Sequence, residues 1–199
     1  MAVRSQSLAP GFLIASPPLG DPNFDRTVVL LAIHGESGAL GFVVNRKAPL
    51  TLGELLGFAG YAAGKTVDGS PVFVGGPVQP SSGWILGLNL DEGPAGEVIS
   101  VGDRIRITSS RDAFDALARD VQERGAETPD PQRRFVMLGY SGWAPGQLEG
   151  EVAAGAWLPV PLDEGILFDT AVDERWEKAY GLLGLMPAFG MSMRTVGSA

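Results

Sequence analysis

Two regions of this 199-residue chain gather side chains that could do chemistry. In the first, Gly139-Tyr140-Ser141-Gly142-Trp143 leads into Pro145, Gln147, Glu149 and Glu151. A serine between glycines, set between an apolar run and a helix, matches a nucleophile elbow. Such a serine attacks an acyl carbon once a histidine takes its proton. Here the fifth position is Trp143 rather than glycine, and the sole histidine, His34, lies far upstream. Ser141 is therefore expected to be a small residue in a tight turn. Glu149 and Glu151 are two apart on a helix and do not face each other, so they make no paired-carboxylate acid–base site. Gln147 and Glu151 are four apart and share a face.

The second region is Asn45-Arg46 together with Gly75-Gly76. An arginine fork beside a Gly-rich turn binds a carboxylate or phosphate through its guanidinium and the turn's N–H groups. Neither a P-loop nor a dinucleotide fingerprint is present, and no cofactor is expected. With no cysteine and one histidine, the remaining metal-capable groups are acidic pairs such as Asp163-Glu164 and Asp173-Glu174. These read as solvated helix starts, and no metal is expected. Asn45, Arg46, Gly75, Gly76, Tyr140, Trp143 and Gln147 come from three strand-end turns. If those ends share one sheet edge, they surround a concavity suited to a small anionic ligand. The competing reading makes Tyr140 and Trp143 core aromatics and gives Gln147 a backbone group to cap.

The elements that must position these groups are legible in outline. Thr27–Ile33 is β-branched and continuously apolar, as a strand buried on both faces should be. A turn at His34–Gly38 and a second strand, Ala39–Val44, complete an antiparallel hairpin with His34 as its polar end. Thr51-Leu52-Gly53-Glu54 is a capping box opening a helix to about Ala59. Ser110 caps a helix to about Arg124, with Phe114, Leu117, Ala118 and Val121 on its apolar face. Val172, Trp176, Ala179, Tyr180 and Leu183 mark a last helix, stopped by Gly184. Further strands are expected at Val72–Val74, Trp84–Leu88, Arg104–Thr108, Phe135–Leu138 and Trp157–Val160, with a turn at Gly139–Trp143 and a helix opened by Pro145. Gly125–Gln132 reads as a loop, and Met186–Ala199 as a loosely held tail.

Composition narrows the function classes. The net charge is −8 and the isoelectric point about 4.6. A duplex-DNA binder displaces counterions with a basic face, and the adjacent basic pairs are only Arg46-Lys47 and Arg133-Arg134. Direct DNA binding is thus not expected. No window approaches ~18 uninterrupted apolar residues, and Met1–Ile14 lacks the pattern of a signal peptide. The expectation is a cytoplasmic protein with no membrane partner, its 199 residues forming one domain with a core of about 8–185.

Taken in order, several of these segments resemble the AlgH/YqgE family of bacterial proteins. They are Gly11-Phe12-Leu13-Ile14-Ala15-Ser16-Pro17, Asp21-Pro22-Asn23-Phe24, Gly38–Arg46, Val74-Gly75-Gly76-Pro77-Val78, Gly139–Trp143, Gly146-Gln147-Leu148-Glu149, Glu151, Trp157 and Trp176. The position of Ser141 is often alanine in that family, which argues further against a serine nucleophile. The resemblance implies an α+β fold with a small closed β-barrel, a flanking sheet and surrounding helices. It also carries the label of a transcriptional regulator, linked in some bacteria to alginate production, without identifying a DNA-binding motif. Three functions follow as expectations. The first is a binding or regulatory module acting on expression through a small anionic ligand or a protein partner, which leans away from catalysis. The second is an enzyme acting on a small anionic metabolite at the Gly139–Glu151 turn. The third is a DNA-binding transcriptional regulator.

Overall fold

The strands are apolar on both sides because helices cover both faces of one large sheet. The computed structural model describes residues 7–16, 25–61, 70–90, 98–124, 130 and 132–184; the expected tail therefore lies outside the described residues. The first hairpin is as expected: β2 (Val28–Gly35) pairs antiparallel with β3 (Gly38–Val43). On its other side β2 pairs with β1 (Gly11–Ala15), which in turn pairs with β10 (Trp157–Pro161). Prolines 159 and 161 stand in that outermost strand, where the missing N–H groups cost no ladder bond.

The second wing is built from β4 (Lys47–Thr51), β5 (Pro71–Val74), β6 (Val78–Leu88), β7 (Val98–Val101) and β8 (Ile105–Thr108). It joins the first through β9 (Phe135–Trp143). The first half of β9 lies between β5, parallel to it, and β6, antiparallel to it. Its second half pairs with β3, with Ala39 opposite Trp143 and Gly41 opposite Ser141. The ten strands form one strongly curled sheet in the order β10-β1-β2-β3-β9-β6-β8-β7, with β4 and β5 off that path.

The α+β class stands, but the expected closed barrel does not. The curl brings β7 back toward β2, yet no ladder joins them among the described residues, and the sheet remains a half-barrel. A second correction concerns β9. The segment Gly139–Trp143, expected as a turn, continues the strand. Gly139 makes this possible by adopting φ of +70°, where the strand changes partners.

Strand alternation divides the core. Phe12, Ile14, Leu30, Phe42, Phe73 and Met137 point inside the curl, where Ile166, Leu167, Trp176 and Ala179 plug it. Those plugs come from α4 (Glu164–Phe168) and, after a 3-10 turn at Val172–Glu174, α5 (Arg175–Gly181). Outside one wing, Leu13, Val29, Leu31 and Val43 meet Leu148 of α3 (Gln147–Ala153). Outside the other, Val72, Ile85 and Val136 are covered by α1 (Leu52–Phe58) and α2 (Arg111–Arg124). The capping box is realised: the Glu54 backbone N–H donates to Thr51 Oγ1 and the Thr51 N–H to Glu54 Oε2. The Thr51 backbone N–H, and then its hydroxyl, which also donates to Glu54 Oε2, hold the Glu54 carboxyl below its ordinary pKa.

Arg175, read from sequence only as part of a helix, is the buried charge that docks the plug. Its guanidinium donates to the carbonyls of Thr170, Val44 and Leu167 and lies over the rings of Phe135 and Phe73. Burial pulls its pKa down to about 10, still well above neutral.

The wings meet where glycine backbones touch. A Cβ on Gly75 would lie 2.4 Å from the Gly139 carbonyl oxygen, and one on Gly139 would lie 2.5 Å from that of Gly76. Gly139→Ala is expected to destabilise the fold by about 2–5 kcal/mol, combining overpacking with backbone strain. Gly150→Ala, inside α3 with open space around it, should stabilise by about 0.5–1 kcal/mol. Urea midpoints for the two variants check this contrast; equal shifts would refute the close-packing account.

Candidate functional site

The serine of the Gly-rich segment sits within β9, 2% exposed, and its Oγ donates to the Gly75 carbonyl at 3.4 Å. His34 lies two strands away, on β2, and its side chain is also 2% exposed. Both of its ring nitrogens are engaged. Nδ1 accepts from the Leu8 backbone N–H at 3.0 Å, while Nε2 faces Glu149 Oε1 at 3.2 Å. An imidazole nitrogen that accepts carries no proton, so neutral His34 holds its proton on Nε2 and donates it to Glu149. The expected hairpin end is therefore a latch joining three segments, and Ser141 and His34 do not pair.

The neighbouring corner is built around Glu151. Pro145 and Gly146 form a turn, and α3 begins at Gln147, later than expected; Gly146 enters it with φ of +76°. One turn into the helix, Glu151 Oε2 accepts from the indole N–H groups of Trp143 at 2.9 Å and Trp157 at 2.7 Å. Its Oε1 accepts from Gln147 Nε2 at 2.9 Å. The two indoles cross edge to face with centroids 6.0 Å apart. Gln147 Oε1 meanwhile accepts from the Ala144 N–H at 3.0 Å, which is the capping role. Trp143 is buried, at 7% exposure. Tyr140 is half-buried and packs edge to face on Trp84.

At the Gly75–Gly76 turn the first N–H is already used within the sheet. The Gly75 N–H donates to the Leu138 carbonyl at 2.7 Å, and its carbonyl accepts from Val43 N–H at 2.8 Å. Their lack of side chains serves the contact with Gly139 and Tyr140.

Asn45 and Arg46 lie past the end of β3, where the Arg46 carbonyl accepts from the Val74 N–H at 2.9 Å, next to Gly75. Trp143 stands opposite Ala39, and Asn45 lies further down the same chain by roughly 20 Å at the rise of an extended strand. The seven positions therefore split: Trp143 and Gln147 at one end of β3, Asn45 and Arg46 beyond the other, with Gly75, Gly76 and Tyr140 between.

At the Asn45 end there is a polar notch of about 230 Å³, where α5 meets the loop before β2. Asn45 clamps that loop: Oδ1 accepts from the Val28 N–H and Nδ2 donates to the Arg26 carbonyl, both at 2.8 Å. Arg26 is held with φ of +50°, a left-handed conformation that costs of order 1–3 kcal/mol for a non-glycine residue. Its guanidinium is placed 5.6 Å from the centroid of the Trp176 ring. Arg46 shares the notch and donates to the Asp25 carbonyl at 3.1 Å. Asp173 and Glu177 line the side formed by the 3-10 turn and α5. Arg26 and the acidic residues that line the notch with it were not legible as site residues, because about 150 residues separate Arg26 from Trp176 along the chain.

Removing the acceptor at the α3 corner strands two largely buried indole N–H groups, each costing about 1–3 kcal/mol. Glu151→Ala should therefore lower stability by about 2–5 kcal/mol, and Glu151→Gln by less, since an amide oxygen remains. Trp143→Ala should cost about 3–5 kcal/mol. Denaturant midpoints at an unchanged slope test both, and parental midpoints would contradict the clamp. Long-range ¹H–¹⁵N NMR of His34 should show the proton of the neutral ring on Nε2; a proton on Nδ1 would break the latch description.

Comparison with known proteins accords with this architecture. A family model described as AlgH-like matches residues 12–188. A UPF0301 protein of Anaeromyxobacter dehalogenans strain 2CP-C is 43% identical over 186 residues, covering 91% of this chain and 90% of the relative. One from Xylella fastidiosa strain M23 is 39% identical over 186 residues, covering 93% and 94%. The solution structure of AlgH from Pseudomonas aeruginosa superposes with a TM-score of 0.72 at 34% identity, covering both chains fully. A crystal structure of a Corynebacterium diphtheriae protein, at 17% identity and a TM-score of 0.64 over 88% of this chain and 86% of that one, shares the fold. This chain belongs to the AlgH-like family.

Proposed function

We propose that this chain is a cytoplasmic binding module that takes a small anionic ligand at the Arg26–Arg46 notch and acts on gene expression through a protein partner. The observation that carries this reading is the backbone of Arg26. A left-handed arginine held open by an asparagine clamp is a cost the loop bears to aim one guanidinium, and strain of this kind clusters at ligand sites. Arg46 supplies a second fork at the same notch. In this reading Asn45 is a positioning residue, because both ends of its amide are engaged by backbone.

Binding is favoured over turnover because the groups that would do acid–base or nucleophilic work are otherwise engaged. His34, Ser141 and Glu151 are each bonded within the fold. Regulation through a partner is favoured over direct DNA binding because the acidic balance opposes the phosphate contacts that dominate such affinity. The described helices offer no basic face: α2 mixes Arg111 and Arg119 with Asp112, Asp115, Asp120 and Glu123.

A screen of small carboxylates and phosphate esters, read by chemical-shift changes at the Trp176 indole, tests the ligand claim. Arg46→Ala and Arg26→Ala should each weaken a hit by roughly 10–100-fold, the range for one charge-assisted hydrogen bond. Asn45→Ala should weaken it through loss of loop order. Affinity unchanged in both arginine variants would refute the site. Titration with duplex DNA at physiological salt should give no nanomolar complex that survives non-specific competitor; such a complex would refute the indirect route.

A further inference from the structure

Ser7–Pro10, the segment that leads into β1, lies against the outer face of the first wing. Leu8 and Ala9 pack there on the cluster that holds Leu13, Val29, Leu31, Trp143, Leu148 and Trp157. Among the described residues, both hydrogen bonds that leave this segment end on His34. The Leu8 backbone N–H donates to Nδ1 at 3.0 Å, and the Ser7 hydroxyl donates to the His34 carbonyl at 3.2 Å. The hold on the segment thus passes through a single titratable residue.

His34 is the sole histidine of the chain, and histidine is the side chain whose charge ordinarily changes between about pH 5 and 8. The charged group that faces it is Glu149 on α3, with Oε1 3.2 Å from Nε2 and a side chain 40% exposed. The strands on either side, β1 and β3, carry no charged residue. The segment itself brings a hydroxyl and an amide, and Glu36 lies two residues along in the turn. The other carboxylate of α3, Glu151, is taken up by the indoles of Trp143 and Trp157.

This arrangement makes two events exclusive. With one proton on Nε2 directed at Glu149, the ring can take a second only at Nδ1. Nδ1 would then be a donor aimed at another donor, the Leu8 N–H, with no acceptor between them. The His34 side chain is 2% exposed, so solvent does not replace the lost bond while the segment stays docked. Glu149 acts in the opposite sense, because its charge favours the imidazolium and holds Nε2 in place. The carboxylate draws the proton in, and the segment is what gives way.

We infer that the His34 latch is a pH-sensitive switch: protonation at Nδ1 releases Ser7–Pro10 from the outer face, while His34 and Glu149 stay together as an ion pair. Proton linkage fixes the direction. The docked segment requires a ring with one proton fewer, so docking is complete at the alkaline end of the histidine range and is lost as the pH falls through it. Release withdraws Leu8 and Ala9 and uncovers the apolar side chains beneath them. The switch uses no residue of the Arg26–Arg46 notch and stands apart from it.

The test is an NMR titration of the intact protein between about pH 8 and 5, following the His34 ring and the Leu8 amide. Both should change with one common midpoint. Hydrogen-exchange protection of the Leu8 amide, corrected for intrinsic exchange, should fall about tenfold per pH unit below that midpoint, as one coupled proton requires. Glu149→Gln keeps an oxygen for the Nε2 proton but removes the charge, so release should move to lower pH. His34→Asn sets Oδ1 as an acceptor for Leu8 and cannot titrate; whatever its level, Leu8 protection should then no longer vary with pH. The proposal is overturned by a ring that titrates while Leu8 stays protected, by separate midpoints, or by a ring that never titrates above the pH of acid unfolding. A midpoint unmoved in Glu149→Gln, or pH dependence retained in His34→Asn, would overturn it equally.

Discussion

The whole molecule depends on one close backbone contact, where Gly75 and Gly76 meet Gly139 and Tyr140. There β9 stops being the inner strand of one wing and becomes the partner of β3 in the other. A side chain at any of the three glycines would force these backbones apart. With them apart, the Gly75 N–H would lose the Leu138 carbonyl, and Val43 would lose that of Gly75. The curl, the inner core it encloses and the seat for α5 all follow from the wings joining at this angle.

A second regularity is that chemically able groups are spent on architecture. Arg175 neutralises no carboxylate; it satisfies three carbonyls at the junction of α4, α5 and the end of β3. Glu151 gathers two indoles and an amide without a cation. His34 ties the segment before β1 to α3. Arg175 and His34 link elements distant in sequence, while Glu151 closes the local corner of β9, α3 and β10. Each is satisfied by protein groups, as a buried polar group must be when its partners cannot be water. This explains how a chain with several site-like motifs presents few open functional groups.

Two hollows among the described residues differ in kind. The Arg26–Arg46 notch is polar, bordered by charges of both signs, and located where the plug meets the sheet. The α1–α2 hollow is lined mainly by apolar groups and lies on the outer face.

The sequence by itself determined the local elements whose cause is local. The capping box at Thr51–Glu54, the first hairpin and the amphipathic α2 needed only neighbouring residues to specify them. Family kinship was legible for the same reason, as ordered short motifs. The closed barrel and the turn at Gly139–Trp143 were misjudged, because each rests on which strand pairs with which. A Gly-rich run reads as a turn locally, whereas Gly139 is a kink inside a strand whose second half finds β3. Likewise Arg26 has no local signature. Only tertiary structure set Asn45 against its carbonyl and Trp176 beneath its guanidinium, since partners far apart in sequence meet through sheet topology, which residue periodicity does not encode.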